Sequence, residues 1–437
     1  MNKCRPYPQV IISRKAGLSL ASGHPWVFEG EVRAMHPSPI DAHPAVNGEA
    51  VDIFEEGGAW RGIGLLSEKS KIRVRVITRN TNDRIDEAFW KRKIIWAWNY
   101  RKTVMSHRTL MGYEPDTNCC RILFSEADGF PGLTVDRYEE TLVTQVGTVG
   151  MEKLRPILYP LLLQILQKDG EKVNAIYERN DGPNRVKEGL DLYKGWWPNI
   201  GENPSSKPTH CSVQENGLRY DIDLEKSQKT GFFLDQKYNR RAVRDLAEGR
   251  RVLDCFCHVG PFGLNAMAGK ASFVREVDIN ETAIELARRN ARLNGFLSDQ
   301  EQENSHIAFT CANVMEYLPK LTHDRALLSQ QGGPFDLIVL DPPAFTKSRS
   351  TISRALKGYR EINCAALRLL PRGGYLATCS CSRFMTRNLF IRAIGEAAHD
   401  ANVTLRQIEE RQQAPDHPII WGIPETHYLD FFIFQIV

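Results

Sequence analysis

Residues Arg251–Gly263, RVLDCFCHVGPFG, decide the fold. Arg251–Phe256 is an apolar run of strand length with one acid, Asp254, near its end. Gly260 then opens a helix pattern, and glycine lets a backbone approach a ligand closely. The spacing is not G-x-G-x-x-G, so the dinucleotide fingerprint is absent. Working outward, apolar runs recur at Phe273–Asp278, His306–Cys311, Phe335–Leu340, Tyr375–Ser380 and Leu429–Val437, with helical patterns such as Glu281–Leu293 between them. Strands alternating with helices, and apolar without polar alternation, predict an α/β, mostly parallel, doubly wound sheet. Such sheets bind ligands at the carboxyl ends of their strands.

Three strand ends carry chemistry. Asp278 closes the second strand, 24 residues after Asp254. A carboxylate there can hold both ribose hydroxyls of a nucleoside; the alternative is a cap for the helix at Asn280–Asn294. The fourth strand runs into Asp341-Pro342-Pro343-Ala344-Phe345. Two prolines stop the strand and stiffen the loop that presents Asp341, although Asp-Pro is also a common turn starter. The fifth strand ends Thr378-Cys379-Ser380-Cys381-Ser382. Alternation puts both cysteines on one face. Cys381 leaves the strand at the ligand edge, where a thiolate would be a nucleophile. Cys379, one pleat earlier, is expected to pack beneath it, as most cysteines do.

Upstream, the texture differs. Residues 1–80 read as short strands and turns forming a small β-barrel. In it, Lys71–Val76 alternates an apolar face (Ile72, Val74, Val76) with a basic one (Lys71, Arg73, Arg75). Residues 81–200 read as a linker helix, Asp83–His107, capped by Asp83 and carrying Trp96 and Tyr100 on one face, and then a mixed α+β region. There Asp128–Gly132 is a turn between strands, and Met151–Gln167 is a helix that Pro156 and Pro160 should shorten or bend. The stretch Gly201–Cys211 reads as a linker, and the α/β domain spans 213–437.

At 437 residues, about three domains are expected. A hydrophobic fraction of 42% and a charged fraction of 25% exclude a disordered chain, a collagen and a coiled-coil rod. Net charge is +4, which permits a nucleic-acid partner without requiring one. Lys69–Arg108 is far more basic, with twelve Lys and Arg against three acids, the charge that phosphate contacts need. A solvated helix face would look similar over Lys91–Lys93. None of the ten cysteines forms a C-x-x-C pair, so the usual zinc and thioredoxin signatures are missing. No apolar run approaches the ~20 residues of a membrane span, and no secretory signal precedes Pro8. A cytoplasmic protein with reduced thiols is expected.

These motifs resemble those of class I S-adenosylmethionine-dependent methyltransferases. Asp254-x-Phe256-x-x-x-Gly260-x-Phe262 is similar to the cofactor loop of the RNA base-methylating kind. Gln228–Gln236 resembles the K-T-G-x-x-x-D-Q lead-in of one subgroup, and Glu285–Gly295 the helix after the ribose carboxylate. The whole chain resembles the RlmI-type large-subunit rRNA cytosine-5 methyltransferases, through His24-Pro25-Trp26-Val27-Phe28-x-Gly30, Ser125–Arg137 and Ala414–Pro418. The resemblance implies a PUA-like RNA-binding barrel, a central β-β-α-β-β domain and a Rossmann-like catalytic domain. It implies S-adenosylmethionine as cofactor, held by Asp235, Gln236, Asp254, Phe256, Gly260, Phe262, Asp278, Asn313, Asp341 and Pro342. It implies large-subunit rRNA as partner, contacted through Lys71, Arg73 and Arg75, with no membrane and with a homodimer left open. Two departures stand out: His258 beside the methionine moiety, and Asn313 where relatives often place an aspartate toward the adenine amine.

Carbon 5 of cytosine is too weak a nucleophile to attack a methylsulfonium, but a thiolate adding to carbon 6 makes it enamine-like. Cys381 is assigned that addition. Asp341 is assigned the bond to ring nitrogen 3. The base that removes the carbon-5 proton is unassigned; His417 is a candidate, with a structural histidine the stronger expectation. Competing readings are methylation of uracil-5 or of an exocyclic amine, and a non-catalytic RNA-binding ribosome-assembly factor.

Overall fold

The structure, a computed structural model, describes residues 5–106, 117–198, 208–227, 230–298, 305–346 and 348–437. His107, Arg108 and Gln228, each named above, lie outside them, as does most of Gly201–Cys211. The chain divides into two compact units. One comprises Met1–Val213, Ile222–Leu234 and Pro415–Thr426; the other comprises Gln214–Asp221, Asp235–Ala414 and His427–Val437. Among the described residues, no helix is long and apolar enough to cross a membrane.

The first unit holds two sheets. A six-stranded sheet is built from Gln9–Ile12 (β1), Trp26–Phe28 (β2), Val32–His36 (β3), Ala50–Glu55 (β4), Trp60–Leu66 (β5) and Ile72–Thr78 (β6), in the order β2-β6-β5-β4-β1-β3. Its apolar face packs Val10, Ile12, Val27, Val51, Ile53, Val74 and Val76 into one buried cluster. Helix Glu87–Ser106 follows. It begins four residues later than the sequence suggests, because the Asp86 carboxylate accepts from Phe89 N (2.9 Å), whereas Asp83 is taken by Thr78 Oγ1 (2.6 Å) and Arg92 Nη2 (2.8 Å). Its buried face is Phe89, Trp90, Ile94, Ala97 and Trp98, and Trp96 faces solvent.

A five-stranded sheet comprises Cys119–Phe124 (β7), Leu133–Tyr138 (β8), Thr141–Val146 (β9), Ala175–Asn180 (β10) and Tyr193–Trp196 (β11), each strand beside the next. The helix between β9 and β10 runs unbroken through both prolines, from Val149 to Lys168. Pro156 cannot donate to the Glu152 carbonyl four residues earlier. Arg155 Nε does so instead (3.2 Å), which satisfies the orphaned acceptor. His210–Glu215 (β12) and Leu218–Asp223 (β13) form a two-stranded sheet.

The second unit contains a seven-stranded sheet: Arg251–Cys255 (β14), Phe273–Asp278 (β15), Ile307–Cys311 (β16), Leu337–Leu340 (β17), Tyr375–Ser380 (β18), Leu405–Gln412 (β19) and Asp430–Ile436 (β20). The order is β16-β15-β14-β17-β18-β20-β19. The first five strands are parallel, and β20 is antiparallel to both its neighbours. All six strands expected from apolar runs are present. The seventh, β19, was missed: an edge strand is covered on one side only and needs no apolar run, and LRQIEERQ has none. The core lies between the sheet and helices Val314–His323 and Ile352–Leu369, around Leu253, Cys255, Val277, Ile338, Leu340 and Leu376.

Candidate active site

In a parallel sheet every strand end of one kind faces the same way. The carboxyl ends of β16, β15, β14, β17 and β18 therefore form one edge, carrying in that order Asn313, Asp278, Phe256, Asp341 and Cys381. The strand order reverses between β14 and β17, which makes the loop after β14 the centre of this edge.

That loop turns by left-handed backbone. Phe256 (φ +63°), His258 (φ +52°) and Gly260 (φ +83°) all have positive φ. Two of them are not glycine, and such conformations cost of order 1–3 kcal/mol each and cluster at ligand sites. Helix Pro261–Ala268 starts directly after Gly260. Asp254 is fully buried below the loop, and its Oδ2 accepts from Gly263 N (2.9 Å). It therefore positions the loop, which corrects its assignment as a cofactor ligand. Phe262 is likewise corrected: it is buried and stacked on Phe431, with ring centroids 6.1 Å apart.

The sequence reading missed Glu276. It is fully buried in β15, next to the Asp254 carboxyl and to Cys257. Burial pushes Asp254 up to about 7 and Glu276 well above the carboxylate range. Two adjacent buried acids cannot both ionise, so the pair holds a proton. The pair is also why glycine is needed here: a Cβ on Gly263 would lie 2.1 Å from Glu276 Oε1. An acid in the interior of a strand flanked by Val274 and Val277 was the available signal.

Asp278 is held by two backbone donors, His258 N to Oδ2 and Asn280 N to Oδ1, each 2.9 Å. It is only partly buried, so this fixed carboxylate still faces outward. The helix-cap alternative goes to Asn280, whose side chain accepts from Ala283 N. Asn313 caps helix Val314–His323, accepting from Met315 N (3.1 Å) and donating to Glu316 (3.0 Å).

Asp341 has a divided carboxyl. Oδ1 accepts from Cys379 Sγ (2.9 Å) and from Gln236 Nε2 (3.1 Å), while Oδ2 takes no hydrogen bond among the described residues. Burial raises its pKa. Gln236, at the end of the short turn Leu234–Gln236, also reaches Cys379 Sγ (3.3 Å). Asp235 points elsewhere, accepting from the Tyr428 hydroxyl (2.8 Å). Cys379 is fully buried and Cys381 is partly exposed, with its Sγ 3.8 Å from Pro342 O. Phe345 packs on buried Tyr359 (4.7 Å), whose hydroxyl lies 3.3 Å from Ser382 Oγ. Tyr359 thus ties the Asp341 loop to the cysteine strand, and nothing in the sequence marked it. Asp278, at the end of β15, is the fixed, partly exposed carboxylate of this edge. Asp278 offers the fixed diol acceptor, so the residues present fit S-adenosylmethionine.

Two expectations in the first unit change. Arg75 is buried, with Nη2 on Glu188 (2.8 Å) and Ser70 and Nη1 on Ser67. Arg73 is spent on Glu29 and on the Ser67 and Glu68 carbonyls. Only Lys71 of the basic face stays exposed. The pattern gave the face but not what covers it. His417 is buried, with Nδ1 2.9 Å from Asp416 Oδ1 and its ring 5.6 Å from Phe124, a structural setting.

A model of S-adenosylmethionine-dependent methyltransferases matches residues 199–425, and one of PUA-like domains matches residues 10–79. The chain is 36% identical over 418 residues to the ribosomal RNA large subunit methyltransferase I of Shewanella amazonensis, covering 96% of each. It is 37% identical over 412 residues to that of Aeromonas hydrophila, covering 94% of this chain and 95% of the other. In fold it is similar to a chain from Streptococcus mutans assigned to the SAM-dependent methyltransferases (TM-score 0.74, 17% identity, 98% and 99% covered). A further methyltransferase structure with the same values is complexed with SAH.

Proposed function

Because the chain belongs to the S-adenosylmethionine-dependent ribosomal RNA large subunit methyltransferase I family, we propose that it methylates carbon 5 of a cytosine in large-subunit rRNA through a covalent adduct with Cys381. The division into 1–80, 81–200 and 213–437 and a cytoplasmic location belong to the same proposal. The observation that carries it is the contrast between two thiols on one strand. Cys379 is sealed beneath Asp341, whereas Cys381 emerges beside the Pro342 carbonyl at the ligand edge.

S-adenosylmethionine, when bound, supplies an electrophilic methyl group on a sulfonium. Asp278 would hold its ribose, and the loop from Phe256 to Gly260 would line its methionine part. The Cys381 thiolate forms a bond to carbon 6, and the electrons of the 5,6 double bond make carbon 5 nucleophilic. Asp341 presents Oδ2 to ring nitrogen 3, and burial, which raises its pKa, favours the form that donates there as negative charge develops. Gln236 and Cys379 hold Oδ1 and so fix which oxygen faces the base. Loss of the carbon-5 proton then lets the thiolate leave.

RNA carrying 5-fluorocytosine tests this, since fluorine cannot leave as a proton does. Wild type should form a covalent adduct, Cys381→Ala none, and Cys379→Ala should still form one. Methylation at carbon 5 by Cys381→Ala would overturn the mechanism.

A further inference from the structure

The most exposed large hydrophobic side chain among the described residues lies outside the methyl-transfer edge. Trp421 is 99% exposed, at the tip of a tight turn in which Ile423 N donates to Ile420 O (2.8 Å). Buried Thr426 braces this turn from both sides: its hydroxyl accepts from Ile420 N (2.9 Å) and donates to Ile423 O (2.7 Å). The indole is therefore presented on fixed backbone. The turn abuts the Ser22–His24 loop so closely that a Cβ on Gly23 would lie 3.2 Å from Gly422 Cα.

That loop leads into more aromatic surface. His24 and Phe28 are stacked at 6.4 Å, with Trp26 edge-on to both at 5.3 and 6.3 Å. Phe28 is 41% exposed, and the Trp26 indole is pinned by Glu126 (3.0 Å). Cations flank the cluster. Arg79 uses Nη2 on the Gly23 and His24 carbonyls, while its Nε and Nη1 make no hydrogen bond among the described residues. Lys71 is exposed beside Phe28, its carbonyl accepting from Glu29 N (2.9 Å).

Rings that include exposed ones, here Trp421 and Phe28 with half-buried His24 behind Phe28, next to cations are what unpaired nucleotides need: bases stack on the rings and phosphates meet the cations. We propose that Trp421, Phe28 and His24 form a stacking platform for unpaired RNA nucleotides, with Arg79 and Lys71 on the adjoining phosphates. This rests on the reading of RNA as substrate, and it places RNA contact in the first unit on aromatic stacking as well as on charge.

The test is titration of a labelled single-stranded RNA of about ten nucleotides, and of an abasic strand of the same length, against wild type, Trp421→Ala and Trp421→Phe. Because Trp421 is solvent-exposed, all three should fold alike. Trp421→Ala should bind the RNA about five-fold or more weakly, with an unchanged slope of log affinity against log salt, and Trp421→Phe should bind nearly as wild type does. All three should bind the abasic strand equally. Arg79→Ala should instead reduce the slope by about 0.7. Trp421→Ala binding the RNA as tightly as wild type would overturn the platform while leaving the substrate reading intact. So would an equal loss on the abasic strand, or loss of self-association with RNA binding unchanged. A wild type that binds no RNA would overturn the substrate reading and the platform with it.

Discussion

The carboxyl edge of the seven-stranded sheet and strand β6 of the six-stranded sheet are both rich in charge, and the two places use it in opposite ways. At the edge, Asp278 is fixed by His258 and Asn280 and Asp341 by Cys379 and the distant Gln236, yet each keeps a side toward solvent. On β6, Arg73 and Arg75 are closed off by Glu29 and Glu188, which are 44 and 113 residues away in the chain. A parallel sheet sorts residues to one edge by their position along a strand. An alternating strand sorts residues only to a face, and distant segments decide whether that face meets solvent.

The sharpest way to break this contrast is Arg75→Ala. Removing it leaves Glu188 buried without its cation, so the variant should lose about 3–5 kcal/mol of stability in a denaturant melt. The double change Arg75→Met with Glu188→Met should lose far less, because no charge is then stranded. RNA affinity of the folded Arg75→Ala protein should match wild type. A selective loss of RNA binding without loss of stability would return Arg75 to the RNA surface.

Asp278→Ala probes the other region. It should weaken S-adenosylmethionine binding by about 1.5–3 kcal/mol, roughly ten- to hundred-fold, and leave RNA affinity alone. Calorimetric titration checks this. Unchanged cofactor affinity would mean that Asp278 serves only the backbone of its own loop.

A smaller effect should come from the buried acids beneath that loop. Asp254 and Glu276 hold a proton in the folded protein at pH values where the unfolded chain has lost it. Between about pH 4, the ordinary carboxylate range, and about pH 7, the folded state thus binds more protons, and stability falls as pH rises. Glu276→Gln removes one acid and keeps a donor for Asp254. Its melting temperature relative to wild type should climb steadily from pH 5 to pH 7, with a slope of at most about 1.4 kcal/mol per pH unit for one proton. A pH-independent difference would mean that the pair shares no proton in this range.

The sequence by itself determined the α/β class, six of the seven strands of the large sheet, and the strand-end positions of Asp278, Asp341 and Cys381. Apolar runs and their boundaries are local, and a parallel sheet converts each boundary into a place on one edge. It also separated Cys381 from Cys379, since a strand that is about to end exposes its last residue. Only the tertiary structure showed that Asp254 and Phe262 face inward, that Glu276 lies under Gly263, and that Tyr359 braces the Asp341 loop. It alone showed that Arg75 is sealed by Glu188 and that Trp421 stands in solvent on a turn packed against Gly23. Each of these depends on contacts between different elements, from 9 residues apart for Asp254 and Gly263 to 113 for Arg75 and Glu188 in the cases bonded directly. Burial is a property of what packs against a side chain, and no local pattern encodes that.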